Sequence, residues 1–350
     1  MKTKAALQLA HGERLIIDEI EFPHPQPDQL VVKLFATGVC HTQIHWMNDP
    51  TRPRPFTLGH EGTGMVTHVG ANVTHLQEGD HVIVTWVPRR HEFTRPPITP
   101  PPLTYRGEAL HSLNVYTWAE DVLVNQAYVV PIAKDAPTDV SCIVGCAVLT
   151  GAGAVMRTTN VRPGQSVAIF GVGGVGLSAV RMAAILAAYP IIAVDLDDKK
   201  LALAKELGAT HLVNANKEDA IATILAVSNG GVDFAYDAIG APATIRQLLP
   251  VTRRGGPGAH NQGGVAVLIG VPSEEVRLDP RELLMAHRHF ITSMGATIPD
   301  EDFPRFLRWH QEGKFPLDKL VTRRYRLEQI NEAYGALKAG EILGRAIIEF

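Results

Sequence analysis

The stretch 166-SVAIFGVGGVGLSAV-180 predicts a strand, a tight turn and a helix in direct succession. It opens with a short apolar run and leads into a longer helical run, Val175–Ala188. Between them, Gly171, Gly173 and Gly176 form the pattern G-x-G-x-x-G. In that context the first glycine allows the tight turn, the second lets the backbone approach a pyrophosphate, and the third lets the helix pack on the strand. The stretch therefore predicts a dinucleotide-binding turn.

The chain just beyond this turn strengthens that interpretation. Gly174 and Val175 open the helix, whose free N–H groups would face the phosphate charge. The next predicted strand ends on Asp195, 19 residues after Gly176. A carboxylate there accepts hydrogen bonds from ribose hydroxyls and repels a 2′-phosphate, so the expected cofactor is NAD(H) and not its phosphorylated form. The alternative is a glycine turn that packs a helix and binds nothing.

Strands and helices continue to alternate over residues 149–296, which predicts βαβ units. Such units form a parallel sheet with helices on both faces. The predicted elements after Asp195 are helix Lys199–Leu207, strand His211–Val213, helix Lys217–Val227, strand Val232–Tyr236, helix Ala243–Val251 and strand Val265–Ile269. We therefore expect this region to be α/β, a doubly wound Rossmann domain that binds the cofactor.

Residues 1–148 have a different character, because short β-like runs are punctuated there by Gly, Pro and His. The clearest runs are Leu30–Phe35, Gly64–Val69 and His81–Val84. Long periodic helices are scarce, so this region is predicted to be β-rich with irregular loops. The tail, 297–350, is expected to complete this first domain. Its predicted elements are helices near Asp302–Glu312 and Leu327–Lys338 and a last strand, Ala346–Phe350.

Composition narrows the class of protein further. A chain of 350 residues with 45% hydrophobic residues can bury two domain cores, and a net charge of −3 gives no reason to expect nucleic acid or an anionic membrane as a partner. The first residues lack the apolar run of a signal peptide. The longest apolar stretch, Met182–Val194, contains a proline and is too short to span a bilayer. We therefore expect a cytoplasmic protein without membrane partners.

Cysteine and histidine residues near glycines suggest a metal site. Cys40 lies in GVCHTQIH, His60 and Glu61 lie in GHEG, and Cys146 lies in GCAVLTG. Two thiolates and one imidazole suit Zn²⁺, and three protein ligands leave the fourth position open, as a catalytic zinc requires. The three cysteines of the chain are too few for a disulfide framework or a four-cysteine zinc site.

Two other assignments of these residues stay open from spacing alone. Cys142 lies four residues before Cys146, so one helix could present both thiols. We interpret Cys142 as a core residue, because it lacks the glycine neighbours of the other two cysteines. His41 and His45 could instead form a metal pair, since residues four apart share one face of a helix.

At this point the chain resembles, nearly end to end, the zinc-containing alcohol dehydrogenases of the medium-chain dehydrogenase/reductase family. The similar segments are GVCHT (38–42), GHEGTG (59–64), GDHVIVTW (79–86), GCAVLTG (145–151), NVRPGQSVAIFGVGGVGLSAV (160–180), AVDLDDKKLALAKELGAT (193–210) and LGRAIIEF (343–350). The resemblance implies a GroES-like catalytic domain, residues 1–148 completed by 297–350, and a Rossmann NAD-binding domain, residues 149–296.

The same resemblance implies roles around the metal. It makes Cys40, His60 and Cys146 the catalytic zinc ligands. Glu61 corresponds to the acid beside the metal, which either supports the site or exchanges as a ligand. Thr42 corresponds to the hydroxyl residue that hydrogen-bonds the substrate oxygen.

Further roles concern the proton and the cofactor. His45 is similar to the histidine at the outer end of the family's proton relay. His41 and Arg345 are similar to basic residues near the cofactor pyrophosphate, and Lys200 to the lysine over the adenosine ribose. The resemblance also implies that Thr150 and Val175 pack against the nicotinamide.

In one region the chain departs from the family pattern. Many members carry a lobe with four close cysteines that hold a second, structural zinc. The corresponding stretch here, Val87–Leu113, contains no cysteine, and Pro88–Leu103 carries six prolines, which exclude a helix or a central strand. We therefore expect one catalytic zinc per chain and no structural zinc.

The expected activity is hydride transfer between NAD(H) and an alcohol/aldehyde or ketone pair. Trp46 and Trp86 flank the ligand segments and are candidates for the apolar side of the substrate pocket. One alternative is a nicotinoprotein-like oxidoreductase that retains its cofactor, and another is a catalytically inactive NAD(H)-binding protein. We expect a homodimer first and a tetramer second, because Val265–Ile269 reads as an unprotected apolar edge strand that a two-fold contact would bury.

Overall fold

The computed structural model describes residues 1–89 and 98–350, which divide into two compact units. The outer unit comprises Met1–Ala147 and Ile298–Phe350, and the central unit comprises Val148–Thr297. These divisions lie within one residue of the predicted boundaries. No described helix has the length and apolar character needed to cross a lipid bilayer.

Short strands and one α-helix are found among the described residues in the first part of the outer unit. They are β1 (Lys2–Gln8), β2 (Ile16–Glu21), β3 (Gln29–Val39), α1 (His41–Asn48), β4 (Phe56–Thr57), β5 (Glu61–Val69), β6 (His81–Thr85), β7 (Leu103–Tyr105), β8 (Glu108–Leu110), β9 (Asp121–Asn125) and β10 (Val129–Pro131). A 3₁₀ helix, Val140–Gly145, then leads to the boundary between the units.

Strands and helices alternate along most of the central unit. They are α2 (Ala147–Gly153), β11 (Val167–Phe170), α3 (Gly174–Ile185), β12 (Ile191–Asp195), α4 (Asp198–Glu206), β13 (His211–Asn214), α5 (Ala220–Val227), β14 (Phe234–Asp237), α6 (Pro242–Val251), β15 (Val265–Leu268), α7 (Pro280–Leu284) and β16 (His289–Thr292). The tail of the outer unit forms α8 (Pro299–Gln311), α9 (Leu317–Leu320), β17 (Val321–Arg326), α10 (Ile330–Lys338) and β18 (Arg345–Glu349).

The described strands of the outer unit form two sheets around apolar cores. One sheet has the order β4-β1-β2-β7-β8; the other has the order β10-β6-β5-β3-β18-β17, with β9 also paired to β3. The last strand, β18, pairs antiparallel with β3, so that Ala346 lies opposite Val39. The tail therefore returns to the first domain, as the sequence predicts, and brings Arg345 to the end of β3.

The central unit contains a six-stranded parallel sheet with the order β13-β12-β11-β14-β15-β16. This is the strand order of a Rossmann fold, in which ligands bind at the carboxyl ends of the strands where the order reverses. Every residue of β11 and of β14 is buried. Continuous apolar strands are expected where helices cover both faces of a sheet.

Several predicted element boundaries were wrong. Helix α5 begins at Ala220, not at Lys217, because the Asp219 side chain accepts hydrogen bonds from the N–H groups of Ile221 and Ala222, at 2.9 and 3.1 Å, and so caps the helix there. The predicted edge strand was also wrong. β15 pairs with β14 on one side and with β16 on the other, so β16 forms the edge of the sheet.

The proline-rich segment is only partly described. Residues 98–102 form neither helix nor strand, and β7 begins at Leu103, the last residue of the predicted irregular stretch. The remainder, residues 90–97, lies outside the described residues.

Candidate active site

Three buried side chains of the outer unit form a cluster suited to a metal ion. The ligand atoms of Cys40, His60 and Cys146 all lie within 4.8 Å of one another. The two Sγ atoms are 3.9 Å apart, and His60 Nε2 lies 3.1 Å from Cys146 Sγ. Two sulfurs and one imidazole nitrogen at these separations fit Zn²⁺ with an open fourth position.

Strand pairing brings the three ligands together from distant parts of the chain. Cys40 is the N-cap of α1 and directly follows β3. His60 directly precedes β5, which pairs with β3, and Cys146 follows the 3₁₀ helix of residues 140–145. Gly59 has a φ of +93°, where a Cβ would lie 2.6 Å from the backbone nitrogens of Thr117 and Trp118. The glycine before His60 thus allows the turn that aims the imidazole inward.

Gln43 contacts two of the candidate ligands and was not predicted from the sequence. Its side chain is fully buried. Gln43 Oε1 accepts a hydrogen bond from the Cys40 backbone N–H at 2.7 Å, and Gln43 Nε2 lies 2.7 Å from His60 Nδ1. The available signal was the third position of α1, where glutamine commonly bonds back to the N-cap residue.

A buried ion pair lies beside the cluster. Arg345, the first residue of β18, donates through Nη2 to Glu61 Oε1, and both side chains are almost fully buried. Glu61 Oε2 has no hydrogen-bond partner among the described residues. A Cβ on Gly38 would overlap the Glu61 side chain, so glycine is required there for the carboxylate to lie against β3. The predicted contact of Arg345 with a pyrophosphate stays a prediction.

Burial and mutual hydrogen bonding shift the pKa values of these groups. The hydrogen bond with the Cys146 thiol lowers the pKa of Cys40 well below its usual range, and the same bond raises the pKa of Cys146 well above its own. Burial raises the pKa of Glu61 to about 7, although the charge of Arg345 opposes that shift.

Helix α1 also carries the residues predicted for the proton relay. The Thr42 hydroxyl lies 3.6 Å from Cys40 Sγ, so this side chain lies beside the ligand cluster. His41 and His45 are exposed and lie outside the cluster. Trp46 packs against His60 in an edge-to-face arrangement, with the ring centroids 5.5 Å apart.

Two remaining candidates are Cys142 and Trp86. Cys142 is fully buried and lies outside the cluster. All three cysteines are free of disulfides. Trp86 Nε1 is buried without a hydrogen-bond partner among the described residues.

In the central unit, the glycine turn joins β11 to α3 as expected from its sequence. Gly171 has a φ of +83°, a conformation that L side chains rarely adopt. Gly173 is the N-cap of α3, and Gly174 is the first residue of the helix. A Cβ on Gly176 would collide with the carbonyl oxygen of Gly171, so the third glycine allows close packing of helix and turn.

Asp195 lies at the carboxyl end of β12 and bonds directly to this turn. Its Oδ2 accepts from the Val172 N–H at 2.9 Å, and its Oδ1 accepts from the N–H groups of Leu196 and Asp197 at 2.8 and 3.1 Å. These bonds fix the carboxylate next to the glycine turn, where a ribose would lie in a Rossmann fold. Lys200 lies half-buried on α4.

Thr150 and Val175 lie on two helices that touch. A Cβ on Gly151 of α2 would overlap the Val175 carbonyl at the start of α3, so the two helices approach closely there. Both side chains are half-buried, and Thr150 Oγ1 has no hydrogen-bond partner among the described residues. Their predicted contact with the nicotinamide stays a prediction.

Known proteins resemble both halves of this chain. A model of the alcohol dehydrogenase GroES-like domain matches residues 26–134, and a model of zinc-binding dehydrogenases matches residues 174–312. The chain is 30% identical to the S-(hydroxymethyl)glutathione dehydrogenase of Paracoccus denitrificans, over 99% of this chain and 100% of the relative.

Solved structures show the same similarity. An alcohol dehydrogenase zinc-binding domain protein from Burkholderia ambifaria superposes with a TM-score of 0.91 at 32% identity, covering 100% of this chain and 99% of that one. The benzyl alcohol dehydrogenase of Acinetobacter calcoaceticus gives a TM-score of 0.87 at 30% identity, with the same coverage.

The fold and the ligand cluster define an oxidoreductase with a GroES-like and a Rossmann domain. The chain belongs to the zinc-containing alcohol dehydrogenases of the medium-chain dehydrogenase/reductase family. Its activity is zinc-dependent, NAD(H)-linked interconversion of an alcohol with an aldehyde or ketone. The comparisons favour neither the cofactor-retaining nor the inactive alternative.

Proposed function

We propose that this enzyme acts on primary alcohols, with one zinc per chain held by Cys40, His60 and Cys146. The observation that carries the proposal is the buried cluster of two sulfurs and one imidazole, which leaves one coordination position for a substrate oxygen. When bound, zinc supplies a Lewis acid for that oxygen, and the nicotinamide accepts or returns the hydride.

The side chains on α1 then handle the proton of the substrate. The Thr42 hydroxyl lies beside the ligand cluster and accepts the hydrogen bond of the substrate hydroxyl. His45 is exposed on the same helix and passes the proton to solvent. The Glu61–Arg345 pair keeps a carboxylate beside the ligands without leaving it as an uncompensated buried charge.

The substrate class is suggested by the relatives and by one aromatic contact. The Paracoccus relative is named for a hydroxymethyl compound and the Acinetobacter structure for benzyl alcohol, and both names describe a compound with a –CH₂OH group, as a primary alcohol has. Trp46 packs on His60 and supplies an apolar surface beside a metal ligand. An aromatic primary alcohol would suit that surface.

A matched pair of substrates tests this proposal. Purified protein should reduce NAD⁺ with benzyl alcohol, and a zinc chelator should abolish the rate. The secondary alcohol 1-phenylethanol, which adds one methyl group at the reacting carbon, should react at least tenfold more slowly. Equal rates with both alcohols would contradict the substrate class, and a rate unaffected by full metal removal would contradict the zinc mechanism.

The cofactor contacts complete the proposal. Gly171, Gly173, Gly174 and Gly176 shape the turn that binds the pyrophosphate, with the positive end of α3 facing it. Further cofactor contacts are assigned to Asp195 and Lys200 on the adenosine ribose, His41 and Arg345 near the pyrophosphate, and Thr150 and Val175 at the nicotinamide. NAD(H) is the preferred cofactor and exchanges with solution. A structural zinc is not expected, because Cys142 is the one cysteine outside the cluster.

We also propose a homodimer formed at the edge of the central sheet, with a tetramer as the second choice. The edge strand β16 is half-buried, and its flanks expose apolar side chains. Met285 is 69% exposed and Met294 is 84% exposed. Two-fold pairing of β16 would cover both methionines and satisfy the free backbone groups of the edge. Light scattering that shows a monomer at micromolar concentration would contradict this. The cytoplasmic location stays a prediction.

A further inference from the structure

The buried side-chain amide of Gln43 contacts two residues of the ligand cluster. Gln43 Oε1 accepts from the Cys40 N–H at 2.7 Å, which caps α1. The other end of the same amide, Nε2, lies 2.7 Å from His60 Nδ1. The side chain is fully buried, so water cannot replace either bond.

Without metal, this arrangement gives the Cys40 N–H and the His60 ring each a hydrogen-bond partner. The amide NH₂ of Gln43 donates to His60 Nδ1, which must therefore accept. A neutral imidazole that accepts at Nδ1 carries its proton on Nε2. His60 Nε2 lies 3.1 Å from Cys146 Sγ, and it can donate its proton to that sulfur.

Metal binding requires the other tautomer of His60, with the proton on Nδ1. Nε2 faces the sulfurs, so it is the ligand atom, and its lone pair must be free. The proton of the neutral ring then sits on Nδ1, where it faces the Gln43 NH₂, a second donor. If the amide turns over, its oxygen reaches Nδ1–H but its NH₂ faces the Cys40 N–H. In either orientation one of the two buried N–H groups loses its acceptor.

We propose that Gln43 is a positioning residue that weakens zinc binding by favouring the tautomer of His60 that cannot bind metal. A carboxylate at this position would present two acceptor oxygens, one for the Cys40 N–H and one for His60 Nδ1–H. The amide therefore sets a lower zinc affinity and a faster metal exchange than the same ligands would otherwise have. This inference rests on the zinc site proposed above.

Zinc affinity, measured by competition with a chromophoric chelator, tests the inference. Gln43→Glu should bind zinc about 10–100-fold more tightly than the wild-type protein, the range over which partners of metal ligands act. The control is Asn48→Asp, which places the same charge on an exposed position of α1. It should change the affinity by less than about threefold, because exposed charges interact weakly.

A second readout needs no variant. In zinc-free wild-type protein, ¹⁵N NMR of the histidine rings should show the proton of His60 on Nε2, whereas in Gln43→Glu it should lie on Nδ1. Equal or weaker zinc binding by Gln43→Glu, or a proton on Nδ1 in the zinc-free wild-type protein, would overturn the role of Gln43. Failure of both proteins to bind zinc would overturn the site itself. If Gln43→Glu does not fold, the position of the His60 proton in the zinc-free wild-type protein tests the proposal by itself.

Discussion

The two functional regions of this chain are assembled over very different distances in sequence. In the glycine turn, the contact that fixes Asp195 spans 23 residues. In the metal cluster, the sulfurs of Cys40 and Cys146 are 106 residues apart, and Glu61 and Arg345 are 284 residues apart. The geometry of the glycine turn is set by residues that are close in the sequence. The ligand cluster, in contrast, forms only when the strands of the sheet have paired. The cluster should therefore be the region that depends more on tertiary structure.

The largest expected effect comes from removing one metal ligand. Cys146→Ala should lower kcat/KM by about 1,000-fold or more, because the Lewis acid contributes several kcal/mol to the transition state. NADH binding, followed by fluorescence titration, should change little, because the glycine turn lies in a separate unit. Cys142→Ala, which removes a buried thiol outside the cluster, is the matched control and should keep most activity. Parallel losses of activity and NADH binding would show that the two regions are not independent.

The next effect concerns the ion pair beside the cluster. Arg345→Met should lower the free energy of unfolding by about 3 kcal/mol, because it leaves the buried Glu61 carboxylate without its partner. Denaturant titration measures this loss, and the double variant with Glu61→Gln should recover part of it. The control Arg323→Met, at an exposed position of β17, should cost less than about 0.5 kcal/mol. A loss of that same small size in Arg345→Met would contradict the buried pair.

A substitution in the glycine region should alter cofactor selectivity and leave zinc binding unchanged. Asp195→Ser should reduce the ratio of kcat/KM for NAD⁺ over NADP⁺ by about 10–100-fold, because charge-assisted hydrogen bonds to the ribose are lost and repulsion of a 2′-phosphate ends. Zinc content should stay at the wild-type value. Asp198→Asn, which neutralises an exposed carboxylate on α4, is the control. An unchanged ratio would mean that another residue selects the cofactor.

The smallest predicted effect is the pH dependence of zinc binding. The pKa of Cys146 is raised by its hydrogen bond with Cys40, so this thiol is protonated at neutral pH and must lose its proton when zinc binds. Affinity should therefore rise about tenfold for each unit of pH increase near neutrality, as expected when one proton is released. Chelator competition at several pH values measures the slope. A flat profile would mean that both sulfurs are already deprotonated.

The same contrast explains what could be predicted from the sequence. Gly171 and Asp195 were found because strand, turn and helix follow one another directly in the chain. The three candidate zinc ligands were predicted with the help of a family resemblance, since spacing alone left other pairs open. Gln43 was missed because its contact with His60 depends on the β3–β5 pairing, which the sequence does not display.

The errors at element boundaries have equally local causes. β16 was missed because its residues, HFIT, are short and mixed in polarity. That omission made β15 look like the edge of the sheet, although it is an interior strand. The start of α5 was misplaced because Lys217 and Glu218 suit a helix, and the capping bond of Asp219 decides the boundary.

The central claim is that a single zinc, held by Cys40, His60 and Cys146, supports alcohol oxidation with NAD⁺. Its most direct test is to add zinc stepwise to metal-free protein while recording NADH formation from benzyl alcohol and the bound metal by elemental analysis. The rate should rise in proportion to bound zinc and reach its plateau at one zinc per chain. A plateau at two zinc ions per chain, or full activity in the metal-free protein, would contradict the account.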